Sequence, residues 1–126
     1  VESCTFSGNS AGDGSAIASD GAWSGNAELE INACTFRGSP SAGGMIANEG
    51  RFGGRAELEM ANSIFSIDAP GASFVNRDGD VTSLGFNLSS EGGSGLLNHA
   101  TDQINTDPLL GPLEDHGGPT FTHALL

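Results

Sequence analysis

The sequence has no tyrosine and no lysine, and its only cationic side chains are Arg37, Arg51, Arg55 and Arg77, set against 16 acidic residues for a net charge of −12. Nucleic-acid phosphates are bound by clusters of Lys and Arg, so this balance argues against nucleic acid as a partner and reads as a solvated, soluble surface. No apolar run approaches the roughly 20 residues of a membrane span, so no membrane insertion by this segment is expected. Neither an initiating Met nor a signal peptide opens the chain. Two cysteines, Cys4 and Cys34, are too few for a disulfide framework. Also missing are apolar residues at i, i+3, i+4 and i+7, which an amphipathic helix would need.

What is present is glycine, 20 residues in 126 against a usual share of about 7%, and a repeat. The stretch A-E-L-E-I-N-A-C-T-F at 27–36 returns as A-E-L-E-M-A-N-S-I-F at 56–65, and its second half occurs earlier as S-C-T-F at 3–6. A period of this length, 29 or 30 residues, points to stacked supersecondary units. Inside each copy Leu29 and Ile31, or Leu58 and Met60, alternate with polar residues as in a strand with one buried face. The phase then slips by one, and Cys34 and Phe36, or Ser63 and Phe65, point inward only if the chain turns a corner at Asn32-Ala33 and at Ala61-Asn62. A further short strand surrounds Ile17, with counterparts at Met45–Asn48 and Ser73–Asn76, closed by Asp20-Gly21, Glu49-Gly50 and Asp78-Gly79.

Three short strands per period predict an all-β right-handed parallel β-helix, a solenoid of about three turns rising about 4.8 Å per turn. Residues 1–88 would form the turns. Residues 89–126, richer in proline, would form an irregular segment capping or wrapping the last of them. The columns predicted are Phe6/Phe36/Phe65, Cys4/Cys34/Ser63, Leu29/Leu58, Ile31/Met60 and Ile17/Ile46/Phe74, with Leu84, Phe86 and Leu88 continuing the alternation. Because the sequence opens within a repeat, it reads as one domain's worth of a longer chain. The cysteines are expected to be free, buried thiols in adjacent turns, close enough for a disulfide but not requiring one.

The pattern C-T-F-S-G-N-S-A, then G-G-M-I-A-N-E-G, then A-E-L-E-I-N-A-C-T-F resembles the repeats of large secreted or surface bacterial parallel β-helix proteins, including those with polymorphic-outer-membrane-protein-like repeats. The tail stretches V-T-S-L-G-F-N-L-S-S, I-N-T-D-P-L-L-G-P-L and D-H-G-G-P-T-F-T-H-A-L-L resemble that family's C-terminal segment. The resemblance implies the fold and an extracellular or cell-surface setting. Where the family often carries cysteines, near Phe74 and Gly95, this chain has none, and His116 stands where Asn is common before Gly-Gly-Pro.

Candidate chemistry is sparse. Asn105-Thr106-Asp107 resembles one acid motif of polygalacturonase-type glycosidases, which need several carboxylates flanking the bond, but it lacks the accompanying Asp-Asp, Gly-His-Gly and Arg-Ile-Lys elements. A pectate-type lyase would need a basic residue such as Arg51 or Arg55 beside a calcium cluster. His99, His116 and His123 lack the paired spacing of a zinc site, and Asn76–Asp80 lacks the ligand spacing of an EF-hand. Trp23 is a candidate for stacking on a sugar. Glu28 and Glu30, stacked on Glu57 and Glu59, are a candidate calcium site, calcium being the one cofactor considered.

The expectation is therefore a non-catalytic structural or adhesive module of a secreted or cell-surface bacterial protein. Its partner would be a surface polysaccharide or a host or neighbouring cell. The alternative is a carbohydrate-binding or polysaccharide-degrading protein, of lyase or hydrolase type, whose cleft lies in other turns.

Overall fold

Asn32 closes one strand, and Ala33, with φ of 52°, turns the chain through a left-handed corner before the next begins. The same conformation recurs at Ser3 (52°), Asn62 (53°) and Phe86 (57°). The slip in apolar phase is thus a corner, and the expected corners at Asn32-Ala33 and Ala61-Asn62 are present. The computed structural model describes residues 1–40 and 42–126.

Between corners the chain forms short strands. A first pass gives β1 (Thr5–Ser7), β2 (Ile17–Asp20) and β3 (Asn26–Asn32), and a second gives β4 (Thr35–Gly38), β5 (Ile46–Glu49) and β6 (Arg55–Ala61). A third gives β7 (Ile64–Ile67), β8 (Phe74–Arg77) and β9 (Asp80–Gly85), followed by β10 (Leu88–Ser89). Each strand from β1 to β7 pairs in parallel with the one three places on, so three short sheets form in the orders β1-β4-β7-β10, β2-β5-β8 and β3-β6-β9. A 3₁₀ turn (Gly93–Gly95) and an antiparallel pair, β11 (Leu110–Glu114) with β12 (Thr122–Leu125), complete the chain. The protein is nearly all β with parallel sheets. No helix among the described residues is long and apolar enough to cross a membrane, which says nothing of a β-barrel.

The register places like on like. Phe6 pairs with Phe36 and Phe36 with Phe65, their rings stacked at centroid distances of 4.7 Å and 5.1 Å. Leu29 pairs with Leu58, Ile31 with Met60, Ile17 with Ile46 and Ile46 with Phe74, as the repeat predicts. Phe36, Phe65, Ile31, Ile46 and Met60 are wholly excluded from solvent. Burying one such side chain contributes roughly 1.5 to 3 kcal/mol, and an aromatic contact about 0.5 to 1.5 more. Phe74 turns edge-on to Phe65 at 4.7 Å and closes the ladder.

The third pass keeps the alternation of a strand but turns its apolar side outward. Leu84 and Phe86 are exposed, and Ser83, Gly85 and Asn87 face inward instead. The cause is the register of β9 on β6: Met60 lies opposite Ser83, and a shift then brings Ala61 opposite Gly85. This polar floor is satisfied internally. Buried Asn87 donates to the Met60 carbonyl (3.2 Å) and to Ser83 Oγ (3.0 Å), and accepts from Ser63 N (3.1 Å). Asp102 accepts from Ser83 Oγ (2.5 Å), Asn87 N (3.1 Å) and His99 N (3.0 Å). Beyond this floor Leu97 is buried against the core with Leu96 beside it, so part of the tail covers the last pass. The tail is not wholly irregular, because β11 and β12 form a hairpin. Arg37 Nη1 donates to the carbonyls of Leu110 (3.1 Å) and Gly111 (2.8 Å), tying that hairpin to β4.

Both cysteines are free, as expected. Cys34 is buried but Cys4 is exposed, contrary to the expectation of two buried thiols. β1 is flanked by β4 on one side only, and Cys4, Phe6, Ile17 and Leu29 are less covered than Cys34, Phe36, Ile46 and Leu58, while Ile31 is as buried as Met60.

Two outcomes follow. Phe36→Ala should cost about 3 to 5 kcal/mol in a urea melt, and Phe6→Ala, at the open end of the ladder, less than half as much; equal costs would contradict the ladder. The Asp102 carboxyl is held below the ordinary aspartate value: desolvation, the largest single influence, pushes it up, but the hydrogen bonds from Ser83, Asn87 and His99 together outweigh it. Its stabilising contribution is therefore complete above the unfolded value of about 4 and lost as pH falls through the folded value. Asp102→Asn should lower stability at pH 7 by about 1 to 3 kcal/mol and flatten the acid limb, whereas parallel acid limbs in wild type and variant would exclude this role.

Candidate functional site

The corner joining β2 to β3 is built from Gly21-Ala22-Trp23-Ser24-Gly25, and that joining β5 to β6 from Gly50-Arg51-Phe52-Gly53-Gly54. Backbone of one corner lies close against the next: a Cβ on Gly21 would overlap the Arg55 carbonyl, and one on Gly54 the Gly21 carbonyl. Trp23 N donates to the Arg51 carbonyl (3.2 Å) and Arg55 N to that of Gly25 (3.0 Å). Asp20 Oδ1 accepts from Ala22 N (2.9 Å), and Glu49 Oε1 from Arg51 N (3.1 Å), so the two corners begin with the same side-chain to backbone bond.

So constrained, Trp23 and Phe52 take left-handed φ values of 56° and 61° and stack at 4.2 Å with planes 18° apart. Both remain exposed, Trp23 at 76% and Phe52 at 55%. The Arg51 guanidinium lies 5.3 Å from the Phe52 centroid. A cleft of about 220 Å³ opens beside the rings, with Ala18 and Ala47 among its lining and Asp13, Asp20, Glu49 and Arg77 supplying charge. Arg77 bridges Asp13 (2.8 Å) and Glu49 (3.8 Å), and Arg51 binds Glu49 at 2.6 Å. The hydrogen bond from the Arg51 side chain holds the Glu49 carboxyl below its usual range. Trp23 packs on a neighbour, Phe52, that sequence reasoning missed, although the two stand one repeat apart.

The four glutamates proposed for calcium are in the expected register, Glu28 on Glu57 and Glu30 on Glu59, and border a shallow hollow of about 390 Å³. A cation is already supplied there: Arg55, at the start of β6, pairs with Glu57 and lies 4.0 Å from Glu28. Among the described residues no three His, Cys, Asp or Glu side chains converge to hold a metal ion. Arg55 thus offsets the repulsion between Glu28 and Glu57.

The remaining candidates make local contacts. Asp107 Oδ1 accepts from Leu109 N (2.9 Å), a turn contact, and borders a groove of about 590 Å³ with Asp68 and Glu91. Asp68 is paired with Arg37 (3.1 Å), and Glu91 accepts from Ser73 N (3.2 Å). Arg51, raised above the ordinary arginine value first of all by its bond to Glu49, is the opposite of a poised base. His99 bonds Thr101 (2.9 Å), His116 bonds Thr122 (3.2 Å), and His123 bridges the Gly111 carbonyl (2.8 Å) and Ser7 Oγ (3.0 Å). Asn76 Nδ2 donates to the Gly79 carbonyl (2.7 Å) and closes a turn where a calcium loop was considered.

Compared with family models, with curated proteins and with solved structures, the chain finds no match.

If Arg55 is the cation of the glutamate face, millimolar calcium should raise the melting temperature of the wild type no more than sodium at matched ionic strength. Arg55→Gln should make stability steeply salt-dependent, since exposed like charges near 5 Å repel by roughly 0.8 kcal/mol in water. A calcium-specific rise in the wild type that is lost in Glu57→Gln/Glu59→Gln would instead assign calcium to this face.

Proposed function

We propose that the chain is part of a right-handed parallel β-helix of about three turns that serves as a structural or adhesive module of a secreted or cell-surface bacterial protein. Its partner is a surface polysaccharide or the surface of a host or neighbouring cell. One observation carries the reading: every strand of the first two passes pairs in parallel with the strand three places on, and core, corner and surface residues all repeat in step. Such an arrangement is stiff, extendable by whole repeats and able to present one surface motif several times. The likeness of repeats and tail to bacterial surface proteins supports the setting.

The alternative, a polysaccharide-degrading protein, finds its support in the groove beside Asp68, Glu91 and Asp107. Those carboxylates are tied to Arg37 or to backbone amides, which favours the structural reading.

Three further copies of residues 33–61 inserted after residue 61 should lengthen the particle by about 14 Å in small-angle scattering and leave it folded and more stable. Beads coated with the chain should hold bacterial or host cells, and the chain should release neither reducing ends nor unsaturated products from pectate or neutral polysaccharides. Insertions that loop out would overturn the fold assignment, and product release would favour the enzyme.

A further inference from the structure

Trp23 is the only tryptophan of a chain without tyrosine, and it is held in a backbone conformation that bulky side chains rarely adopt. Of the left-handed corners along the first sheet, three are occupied by the smaller Ser3, Ala33 and Asn62 and the last by a solitary Phe86, so only Trp23 and Phe52 set large aromatics at equivalent positions of successive passes, ring on ring. Placing two large aromatics at equivalent corners, exposed, is costly on both counts, and strain of this kind collects where a side chain must be displayed. Core packing does not explain the pair, because neither ring reaches the core.

We propose that the cleft beside Trp23 and Phe52 binds a neutral pyranose unit of a glycan chain. The rings offer the flat, electron-rich surface on which the C–H face of a sugar packs, the ring quadrupole being negative above its plane. Trp23 covers one face of Phe52, and both rings border the cleft. Ala18 and Ala47, in register with each other, keep part of the lining low. Asp20, Glu49, Arg51 and Arg77 supply acceptors and planar donors at the rim, and neighbouring sugar hydroxyls pair with carboxylates and guanidinium groups in bidentate fashion. These groups are already fixed by one another and by backbone amides, so little ordering is lost on binding.

The observations also select among ligands. At about 220 Å³ the cleft is smaller than the roughly 300 to 1,000 Å³ of pockets that engulf a ligand, and suits one ring of a chain rather than an enclosed molecule. Net charge of −12 and three lining carboxylates disfavour polyuronates. A cationic ligand would compete with Arg51, which already sits by Phe52. A protein partner would be matched by a dry apolar centre, whereas here ion pairs adjoin the aromatic pair directly.

This assignment rests on the adhesive reading above for its context and supplies the chemistry of the partner. The absence of other tryptophans makes the test direct: Trp23 emission reports this cleft alone. The intact chain is titrated with cellotetraose, mannotetraose, chitotetraose and tetragalacturonate. At least one of the three neutral tetrasaccharides should give a saturable change with a Kd on the order of 1 mM or tighter, and tetragalacturonate none. Phe52→Ala, which keeps the reporter, should weaken binding about tenfold, and Trp23→Ala should abolish the calorimetric signal; both sites are exposed, and unchanged circular dichroism and melting curves verify the fold. No response to any neutral tetrasaccharide up to about 10 mM, a response to tetragalacturonate alone, or binding that survives Trp23→Ala would overturn the proposal. Cells held by beads equally well through wild type and Trp23→Ala would also overturn it while leaving the adhesive reading intact; sugar binding without cell capture would do the reverse.

Discussion

The in-register parallel hydrogen bonding between successive passes is the constraint on which the other features depend. A strand pairing in this way with its own counterpart one repeat later puts like side chains on top of one another. Identical neighbours are favourable for phenylalanine and leucine and unfavourable for glutamate. The chain answers each case separately: Phe6, Phe36 and Phe65 build a stack, whereas Glu28 and Glu57 share Arg55. The left-handed corners make the register possible, since they bring the apolar side of the next strand back to the interior without a helix or a long loop.

A second constraint is that columns must end. At the third pass the apolar series gives way to Ser83 and Asn87, whose polar atoms are satisfied by each other, by Asp102 and by the Met60 carbonyl. Buried polar groups are tolerable only when paired in this way. Leu97 then closes the core from the tail. The hairpin of β11 and β12 is held at a different place, through Arg37 and His123, on the first sheet.

Much of this was legible in the sequence because a period leaves a simple trace. The glutamate register and the leucine column could be read from the repeated A-E-L-E, and the phenylalanine column and the two corners from the stretches that follow it, I-N-A-C-T-F and M-A-N-S-I-F, with S-C-T-F before them. The alternation of Leu84, Phe86 and Leu88 says that a strand exists but not which side is inward; pairing with Met60 decided that. Arg77 faces Glu49 rather than extending an acidic column, since the third pass reaches its acidic residue one position late, at Asp78. Phe52 was findable: it stands one period after Trp23, but glycine-rich flanks disguised the corner as a plain loop. The hairpin carried no comparable signal, its partners Leu113 with His123 and Glu114 with Thr122 being too mixed in polarity.

The alignment of the sheets also bears on force. In each of the three parallel sheets the hydrogen bonds between passes run across the strands. A pull along that direction strains bonds of three sheets together, while a pull along the strands is taken up by the covalent backbone of each pass. The protein is therefore mechanically anisotropic. Its weak plane lies between passes, where separation would expose the stacked faces of Phe36 and Phe65 together and would have to break a whole layer of bonds at once rather than one at a time.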